Sequence, residues 1–291
     1  MTDYQIFTDA TADISPMMLS GLPPVEIIPM ELEIGGRAYT YGPSGTITPS
    51  EFYHLQRDVH FASTSQITPL TYQQYFEPAL QEGKDILYLC FSSGLSGTFQ
   101  SAQLCIGELR ERYSERRVEC IDTLAASIGQ GLFVCEALRK QADGCSLTEL
   151  ADWVKENRLN ICHWFTVDTF EHLRHGGRVS AAAAVMGTAL QIKPLLHVNE
   201  KGCLKVVEKP RGRKQALHVQ LKQVLKGWEA NGPCKRIVVA HGDNPDGARN
   251  LKGALALHIP EAEFLTSEIG PIIGAHTGPG MLAVTYWGTN R

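Results

Sequence analysis

The 291-residue sequence has no long apolar segment and no excess of positive charge. No stretch approaches the roughly 18 apolar residues of a membrane-spanning helix, which argues against integral membrane insertion. The first residues, MTDYQIFTDATADIS, have neither the basic region nor the apolar core of a signal peptide. The formal net charge of −4 argues against a nucleic-acid partner, because nucleic-acid-binding proteins usually carry a basic excess. We therefore expect a cytoplasmic protein.

The cysteines form no pattern. The sequence has eight cysteines, widely dispersed, and no two of them form a C-x-x-C pair. In a chain expected in a reducing compartment, such residues indicate small buried apolar side chains rather than a disulfide framework or a zinc site. We expect no bound metal and no cofactor.

The motifs of three catalytic classes are also missing. The G-x-S-x-G pattern of the α/β-hydrolases is absent, since "GLSGT" places its glycine one position too early. The phosphate-binding pattern G-x-x-x-x-G-K-[ST] does not occur, and neither does a kinase glycine-rich loop with an H-R-D segment. We therefore predict that any phosphoryl transfer involving this chain is completed by another protein.

The sequence does contain short apolar runs alternating with helical patterns, which is typical of a parallel sheet flanked by helices. Buried strands are predicted at residues 4–8, 85–93, 118–122 and 236–243. The length suggests about two domains. The predicted fold class is α/β with two α/β domains. Domain 1–160 has a mainly parallel sheet flanked by helices, and domain 161–291 is a smaller α/β sandwich.

Helix starts are marked by capping residues. "TPSEF" offers Thr48 as N-cap with Glu51 three positions later, and "SLTEL" repeats this capping box with Ser146 and Glu149. Thr68, followed by a proline, predicts another helix that ends near residue 81. A further helix is expected over 97–113.

The second half of the chain differs from the first. Residues 193–211 predict a β-hairpin that turns near Lys201 and Gly202. Residues 213–232 predict an amphipathic helix. Its apolar stripe consists of Leu217, Leu221, Val224, Leu225 and Trp228. The tail, residues 269–288, is interpreted as a glycine-rich loop followed by an alternating strand.

Three segments rich in hydroxyl groups follow predicted strands or precede helices, where open α/β sheets collect ligands. "CFSSGLSGTFQSA" (90–102) favours an anion site at a helix start, although capping of that helix by Ser96 explains the same pattern. "FASTSQITP" (61–69) is typical of a hydroxyl-stabilised turn before a helix cap. "FTDATAD" (7–13) favours a turn with Asx hydrogen bonds over a magnesium site.

Three further segments gather basic and histidine residues. In "HLRHGGRVS" (172–180), Arg178 follows two glycines and is placed to reach an anion, whereas a metal on His172 and His175 lacks an obvious further ligand. "EKPRGRK" (208–214) indicates either a solvated turn or a docking patch for an acidic or phosphorylated partner. "GAHTGPG" (274–280) sets His276 among glycines, facing a ligand or packed structurally.

In order along the chain, these segments resemble the DegV family of bacterial fatty-acid-binding proteins. The resemblance covers nearly 280 residues and rests on eight segments. They are "FTDATADIS", "TSQITP", "FSSGLSGTFQSA", "IDTLAASIGQGL", "HLRHGGRVS", "LQIKPLL", "KPRGRKQAL" and "GPIIGAHTGPG". One departure is Ala10, which stands where the family usually has a serine, so that serine's contact cannot be transferred.

The resemblance implies a non-enzymatic protein with a long-chain fatty acid in a tunnel between its two domains, acting as the acyl-binding subunit of a fatty acid kinase. It implies that Thr64, Ser96 and His276 hold the carboxylate and that Arg178 lies beside them. Ser65 and Gly97 are expected with Arg178 beside the head group, at the gate of the tunnel. Arg211 is expected to contact the phosphate or an ATP-dependent kinase partner.

An alternative function comes from another class. Ser96 or Ser93 with His276 would make a stand-alone serine hydrolase or acyltransferase. The missing nucleophile loop weighs against this alternative.

Overall fold

The computed structural model describes residues 3–179, 191–230, 232–289 and 291. Ser180 of "HLRHGGRVS" and Leu190 of "LQIKPLL" lie outside the described residues. The strands, in chain order, are β1 (Tyr4–Asp9), β2 (Glu26–Ile28), β3 (Met30–Ile34), β4 (Arg37–Tyr41), β5 (Ala62–Thr64), β6 (Asp85–Cys90), β7 (Val118–Asp122), β8 (Ile161–Thr166), β9 (Leu195–Val198), β10 (Leu204–Glu208), β11 (Arg236–His241), β12 (Glu263–Glu268) and β13 (Leu282–Trp287).

Helices pack around these strands. The described α-helices, numbered in chain order, are α1 (Pro49–Val59), α2 (Pro69–Gln81), α3 (Thr98–Arg112), α4 (Ser127–Ala142), α5 (Leu147–Asn157), α6 (Glu171–His175), α7 (Arg213–Gly227), α8 (Pro245–His258) and α9 (Pro271–Thr277). Single 3-10 turns lie at Ala10–Ala12 and Arg158–Asn160.

The N-terminal sheet is parallel, as predicted. Its strand order is β2-β1-β6-β7, and every pairing in it is parallel. The carboxyl ends of β1 and β6 therefore lie side by side, which brings Asp9 close to the loop that follows Cys90. This edge is where the "SSGLSG" segment begins.

A small antiparallel sheet of order β4-β3-β5 accompanies the parallel one. Within β5, Thr64 pairs with Leu32 and Ser63 pairs with Glu33. The interpretation of "FASTSQ" as a turn was therefore wrong for Ser63 and Thr64. Pairing with a strand some 30 residues earlier is a non-local contact, which a reading of neighbouring residues does not reveal.

The second half contains a six-stranded sheet of order β10-β9-β8-β13-β11-β12. The β11–β12 pair is parallel, and the other pairs are antiparallel. The predicted hairpin is present as β9 and β10. The proposed domain boundary near residue 160 coincides with the 3-10 turn that precedes β8, and we retain 1–160 and 161–291 as proposed limits.

The capping residues in the sequence predicted most helix starts correctly. Both capping boxes are formed, at Thr48 with Glu51 and at Ser146 with Glu149. Thr68 caps α2. The expected apolar stripe of α7 was partly wrong, because Leu225 is 37% exposed and the helix ends at Gly227, before Trp228.

The tail between β12 and β13 differs from its prediction. It is not only a glycine-rich loop, since α9 occupies residues 271–277 with Pro271 in its first turn. A proline fits the first turn of a helix, where its missing N–H is not needed. His276 consequently lies in the last turn of a helix rather than in a loop.

Helix α4 joins the two large sheets. Eleven of its residues are buried, and it packs against β6 as well as against β8, β11 and β13. Leu87 and Leu89 of the parallel sheet share one apolar cluster with Leu132 of the helix and with Val238 and Ala283 of the second sheet. A helix that is apolar on most faces is buried between layers, and α4 lies between the two sheets beside the cavity.

Candidate functional site

A cavity of about 270 Å³ lies between the parallel sheet and the six-stranded sheet. It is lined from the first half by the loop after β6 and from the second half by β8, β13 and α9. Six of the seven site residues predicted from the sequence line it: Thr64, Ser65, Ser96, Gly97, Arg178 and His276. Together with Gln66 these residues form what we call the polar end.

His276 and Thr64 are in direct contact at the polar end. The distance from Thr64 Oγ1 to His276 Nε2 is 2.8 Å. Burial lowers the pKa of His276 to about 4, and the positive charge of Arg178 acts in the same direction. The imidazole is therefore neutral near pH 7. When its Nε2–H donates to Thr64 Oγ1, the threonine hydroxyl hydrogen is left for a ligand.

Helix α9 holds His276 in place because several groups anchor it. Asp13 Oδ1 accepts the Gly270 N–H at 2.9 Å at the start of the helix. Tyr53 Oη donates to the Ile269 carbonyl at 3.0 Å, and Gln56 Nε2 donates to the Gly274 carbonyl at 3.1 Å. Burial raises the pKa of Asp13 to about 7.

Ser96 does not cap α3 in the expected way. The N-cap position is Gly97, which has no side chain that could cap the helix. Ser96 Oγ instead accepts the Thr98 N–H at 3.3 Å and lies 2.8 Å from Thr98 Oγ1. The serine is thus half-buried at the cavity wall, with its hydroxyl oxygen held by the first residue of the helix.

Arg178 brings a positive charge to the polar end. Its Nε donates to the Leu95 carbonyl at 3.2 Å, and its Nη1 donates to the Gly176 carbonyl. Burial lowers the pKa of this guanidinium from its usual value. In these two contacts the partly buried guanidinium is bonded to neutral carbonyls. Its positive charge is therefore available to a ligand carboxylate.

Two glycines make close approaches that side chains would prevent. A Cβ at Gly176 would overlap the His276 ring, and a Cβ at Gly278 would overlap the His172 ring. Gly278 also has a φ of +73°, in the region that favours glycine. These residues let the α6 and α9 segments pack directly on the histidines.

The rest of the cavity is mostly apolar, and we call it the apolar interior. Its apolar lining residues are Met30, Phe91, Leu95, Ala126, Ile128, Trp164, Phe165, Leu173, Val198, Leu204, Ile272, Ile273, Met281 and Ala283. On the second sheet, Phe165 pairs with Ala283 across β8 and β13. One face of that sheet therefore forms a wall of the interior.

Five further polar residues line the cavity and were not predicted as site residues: Thr11, Ser127, His163, Thr277 and Thr285. His163 pairs with Thr285 across the same two strands. Its Nε2 accepts the Ala126 N–H at 3.3 Å, and burial lowers the pKa of His163 well below the usual value, so that the ring is neutral. The period-two spacing of His163 with Phe165 was the available signal.

Arg211 does not line the cavity. It is exposed and forms a backbone bridge with Ile192. Its neighbour Arg213 pairs with Asp168, which also pairs with Lys193 at 3.1 Å. The basic segment is thus partly neutralised, and Arg211 presents its charge to solvent.

The histidines of "HLRHGG" pack on an aromatic ring. His175 stacks on Phe61 with ring centroids 4.2 Å apart, and His172 lies edge-on to the same ring at 5.4 Å. Within the described ranges, no group of three or more histidine, cysteine or acidic side chains is arranged to hold a metal.

The geometry for a serine hydrolase is not assembled. Ser93 Oγ donates to Asp122 Oδ2 at 2.5 Å, so the partner of this serine is a carboxylate. His276 pairs with Thr64, and Ser96 pairs with Thr98. A nucleophilic serine needs a hydrogen bond to its base.

None of the helices in the described part of the chain is both long enough and apolar enough to span a membrane.

Residues 3–288 match the family model described as an uncharacterised protein of the DegV family. A DegV domain-containing protein of Clostridium perfringens is 38% identical over 291 residues, covering 100% of this chain and 99% of the relative. Another from Streptococcus pyogenes is 33% identical over 288 residues, covering 99% of each chain.

Solved structures share the fold. A fatty-acid-binding DegV family protein from Thermus thermophilus is similar with a TM-score of 0.85 and 32% identity, covering 99% of this chain and 100% of that one. The B3 protein of the Streptococcus pneumoniae fatty acid kinase, solved with linoleic acid, has a TM-score of 0.86 at 19% identity, covering 99% and 100%. At that identity the likeness concerns the fold.

Proposed function

The chain belongs to the DegV family, and on this basis we propose that it binds a long-chain fatty acid in the cavity between its sheets. The carboxylate occupies the polar end, with Thr64, Ser96 and His276 around it and Arg178 beside it. The acyl chain fills the apolar interior.

One observation carries this proposal. Thr64, Ser96, Arg178 and His276 come from four separate segments, and the fold brings them to one end of a cavity whose remaining wall is mostly apolar. Hydroxyl groups and a guanidinium are donors suited to a carboxylate, which only accepts hydrogen bonds. An apolar pocket with a few convergent polar groups is the usual form of a small-molecule site.

Burial of the acyl chain supplies most of the binding free energy. A chain of ~15 methylenes at ~0.8 kcal/mol each contributes on the order of 12 kcal/mol before ordering costs are subtracted. This free energy is sufficient to retain a lipid through purification. The polar end then determines which head group is accepted.

We propose further that the bound carboxylate is presented to an ATP-dependent kinase. Ser65 and Gly97 at the polar end are exposed, so a partner can reach the head group there. A carboxylate oxygen would attack the γ-phosphorus of ATP, the bond from that phosphorus to the bridging oxygen would break, and ADP would leave with an acyl phosphate formed. Arg211 is the proposed contact to the partner or the phosphate.

Native mass spectrometry and lipid extraction of the purified protein test the binding proposal. We expect one long-chain fatty acid per chain, and rebinding of palmitate or oleate after delipidation. An empty protein that also fails to bind added palmitate and oleate would contradict it.

The kinase role needs a separate test. The loaded protein is incubated with ATP and a bacterial fatty acid kinase subunit, and hydroxylamine traps any acyl phosphate as the hydroxamate. We expect hydroxamate only with both proteins, and a reduced yield with Arg211→Glu. Labelling of Ser93 or Ser96 by a fluorophosphonate probe would instead support the hydrolase alternative.

We propose the cytoplasm as the compartment of this protein. All eight cysteines are free thiols in the structure. Five of them are buried, as expected for small apolar residues.

A further inference from the structure

The hydroxyl of Ser96 is supported by residues that lie behind the cavity wall. We propose that Thr98, held by the buried chain of Tyr72, Tyr88 and Asp9, is a positioning residue that directs the Ser96 hydroxyl hydrogen toward the ligand carboxylate. This inference rests on the proposed fatty-acid-binding function and assigns a role to residues which that proposal does not use.

The Ser96 hydroxyl has one hydrogen to donate, and Thr98 decides where it goes. Its Oγ accepts the Thr98 N–H at 3.3 Å and lies 2.8 Å from Thr98 Oγ1. If the Thr98 hydroxyl donates, Ser96 Oγ accepts two hydrogen bonds and its own hydrogen is free. If Ser96 donates to Thr98 Oγ1 instead, its hydrogen is not available to a ligand. Because a carboxylate only accepts, binding selects the first arrangement.

Two buried tyrosines hold the backbone of Thr98. This residue is fully buried, and the Tyr72 hydroxyl lies 3.3 Å from its carbonyl oxygen. Tyr72 Oη is also 2.9 Å from Tyr88 Oη, and Tyr88 donates to Asp9 Oδ2 at 2.7 Å. Since the hydrogen of Tyr88 goes to Asp9, Tyr72 donates to Tyr88 and shares its single hydrogen with the Thr98 carbonyl.

Asp9 anchors both ends of the Ser96 loop. Its carboxylate accepts the Phe91 N–H at 3.4 Å, where the loop begins, and reaches Thr98 through the two tyrosines, where the loop ends. It also accepts the Thr11 N–H at 3.0 Å. One carboxylate therefore fixes residues 91–98 at both ends, and such fully bonded buried networks are rigid.

Disrupting a network that only stabilises the fold would change ligand binding differently from disrupting a network that positions Ser96. Loss of fold stability would weaken the binding of a fatty acid and of its methyl ester alike, because both bury the same chain. Loss of positioning would weaken the acid selectively, since the ester has no charged head group for the donors. The ratio of the dissociation constants of methyl palmitate and palmitate therefore separates the two roles.

The test uses delipidated full-length protein titrated with palmitate and with methyl palmitate. For Thr98→Val we expect the preference for palmitate to fall about fivefold, because the Ser96 hydroxyl loses the donor that orients it while its own hydrogen stays available. For Tyr72→Phe we expect a loss of roughly threefold, because the bond to the Thr98 carbonyl is longer. Thr98→Ser keeps the hydroxyl and should retain the preference.

Two matched controls remove a hydroxyl elsewhere. Tyr4→Phe deletes a hydroxyl that donates to the Cys145 carbonyl at 2.8 Å, at the opposite end of β1 from Asp9. Thr166→Val deletes a buried hydroxyl that has no partner within the described residues. Both should keep the wild-type preference.

The outcomes separate the two proposals. If the wild type prefers palmitate over the ester and both Thr98→Val and Tyr72→Phe keep that preference, the positioning role is overturned. Fatty-acid binding would then remain intact. A wild type that binds neither palmitate nor the ester would overturn both. If Thr98→Val fails to fold, Tyr72→Phe decides the question.

Discussion

The polar end and the apolar interior of the cavity are built in different ways. The polar end is assembled from chain segments far apart, with Thr64 and His276 separated by 212 positions, and its contacts are directional hydrogen bonds. The interior is formed by faces of regular elements, chiefly β8, β13, the start of α4 and α9, and it acts through buried area. Head-group selectivity and chain-length selectivity should therefore respond to different substitutions.

The largest effect is expected in the interior. Ala283→Phe places a ring beside Phe165 and removes space for the chain. Loss of room for about four methylenes costs ~3 kcal/mol, or more than 100-fold in affinity for palmitate. Titration should show a much smaller effect on octanoate. Ala142→Phe, at the exposed end of α4, is the control, and an unchanged palmitate affinity in Ala283→Phe would refute the assignment of the interior.

The next effect concerns the polar end. The double variant Thr64→Val with Ser96→Ala removes two hydroxyl donors, each with a net contribution of about 1 kcal/mol to carboxylate binding. We expect palmitate affinity to fall at least tenfold while methyl palmitate binding changes little. Equal losses for the acid and the ester would mean that these hydroxyls do not contact the carboxylate.

A smaller effect should follow from Gly176→Ala, because the added methyl overlaps the His276 ring and displaces it from Thr64. We expect a severalfold loss of palmitate affinity measured by titration. Gly107→Ala on α3 is the matched control, since a Cβ there meets nothing within 4 Å. That substitution should leave binding unchanged and stabilise the helix by about 0.5–1 kcal/mol. Wild-type affinity in Gly176→Ala would show that His276 needs no such packing.

The smallest effect is a dependence of stability on pH. Burial lowers the pKa of His172 and of His276 to about 4 in the folded protein, against ~6.5 when unfolded. At these two imidazoles the unfolded state binds more protons between these values, so their contribution to the free energy of unfolding should fall as pH drops from about 6.5 to 4. Denaturant titrations of the delipidated protein measure this slope. His276→Gln should reduce the slope, and an identical slope would contradict the assignment.

Features set by neighbouring residues were predictable from the sequence. The capping boxes at Thr48 and Ser146 depend on residues three positions apart, and both are formed. The strands β1, β6, β7 and β11 were recognised as short apolar runs between helical patterns, and the clearest of them is β6, which is buried at every residue. The roles of Thr64, Ser96 and His276 came from the family resemblance, and they remain proposals.

Features set by distant contacts were not predictable. Thr64 belongs to a strand because β5 pairs with β3, and α9 forms where Asp13 and α1 bind its backbone. His163 and Thr285 lie opposite each other because of the register between β8 and β13, which their own segments do not specify. The positioning chain through Tyr72 and Tyr88 likewise depends on the packing of α2 against the parallel sheet.

Carbon-13 NMR of bound palmitate labelled at its carboxyl carbon tests the central claim most directly. If the carboxylate lies at the polar end, its resonance should stay that of an ionised group from pH 8 down to pH 4, below the ~4.3 at which an exposed carboxyl is half protonated, and it should shift in the Thr64→Val and Ser96→Ala variants. A bound carboxyl resonance that titrates like the free acid and is unchanged by both substitutions would contradict the account.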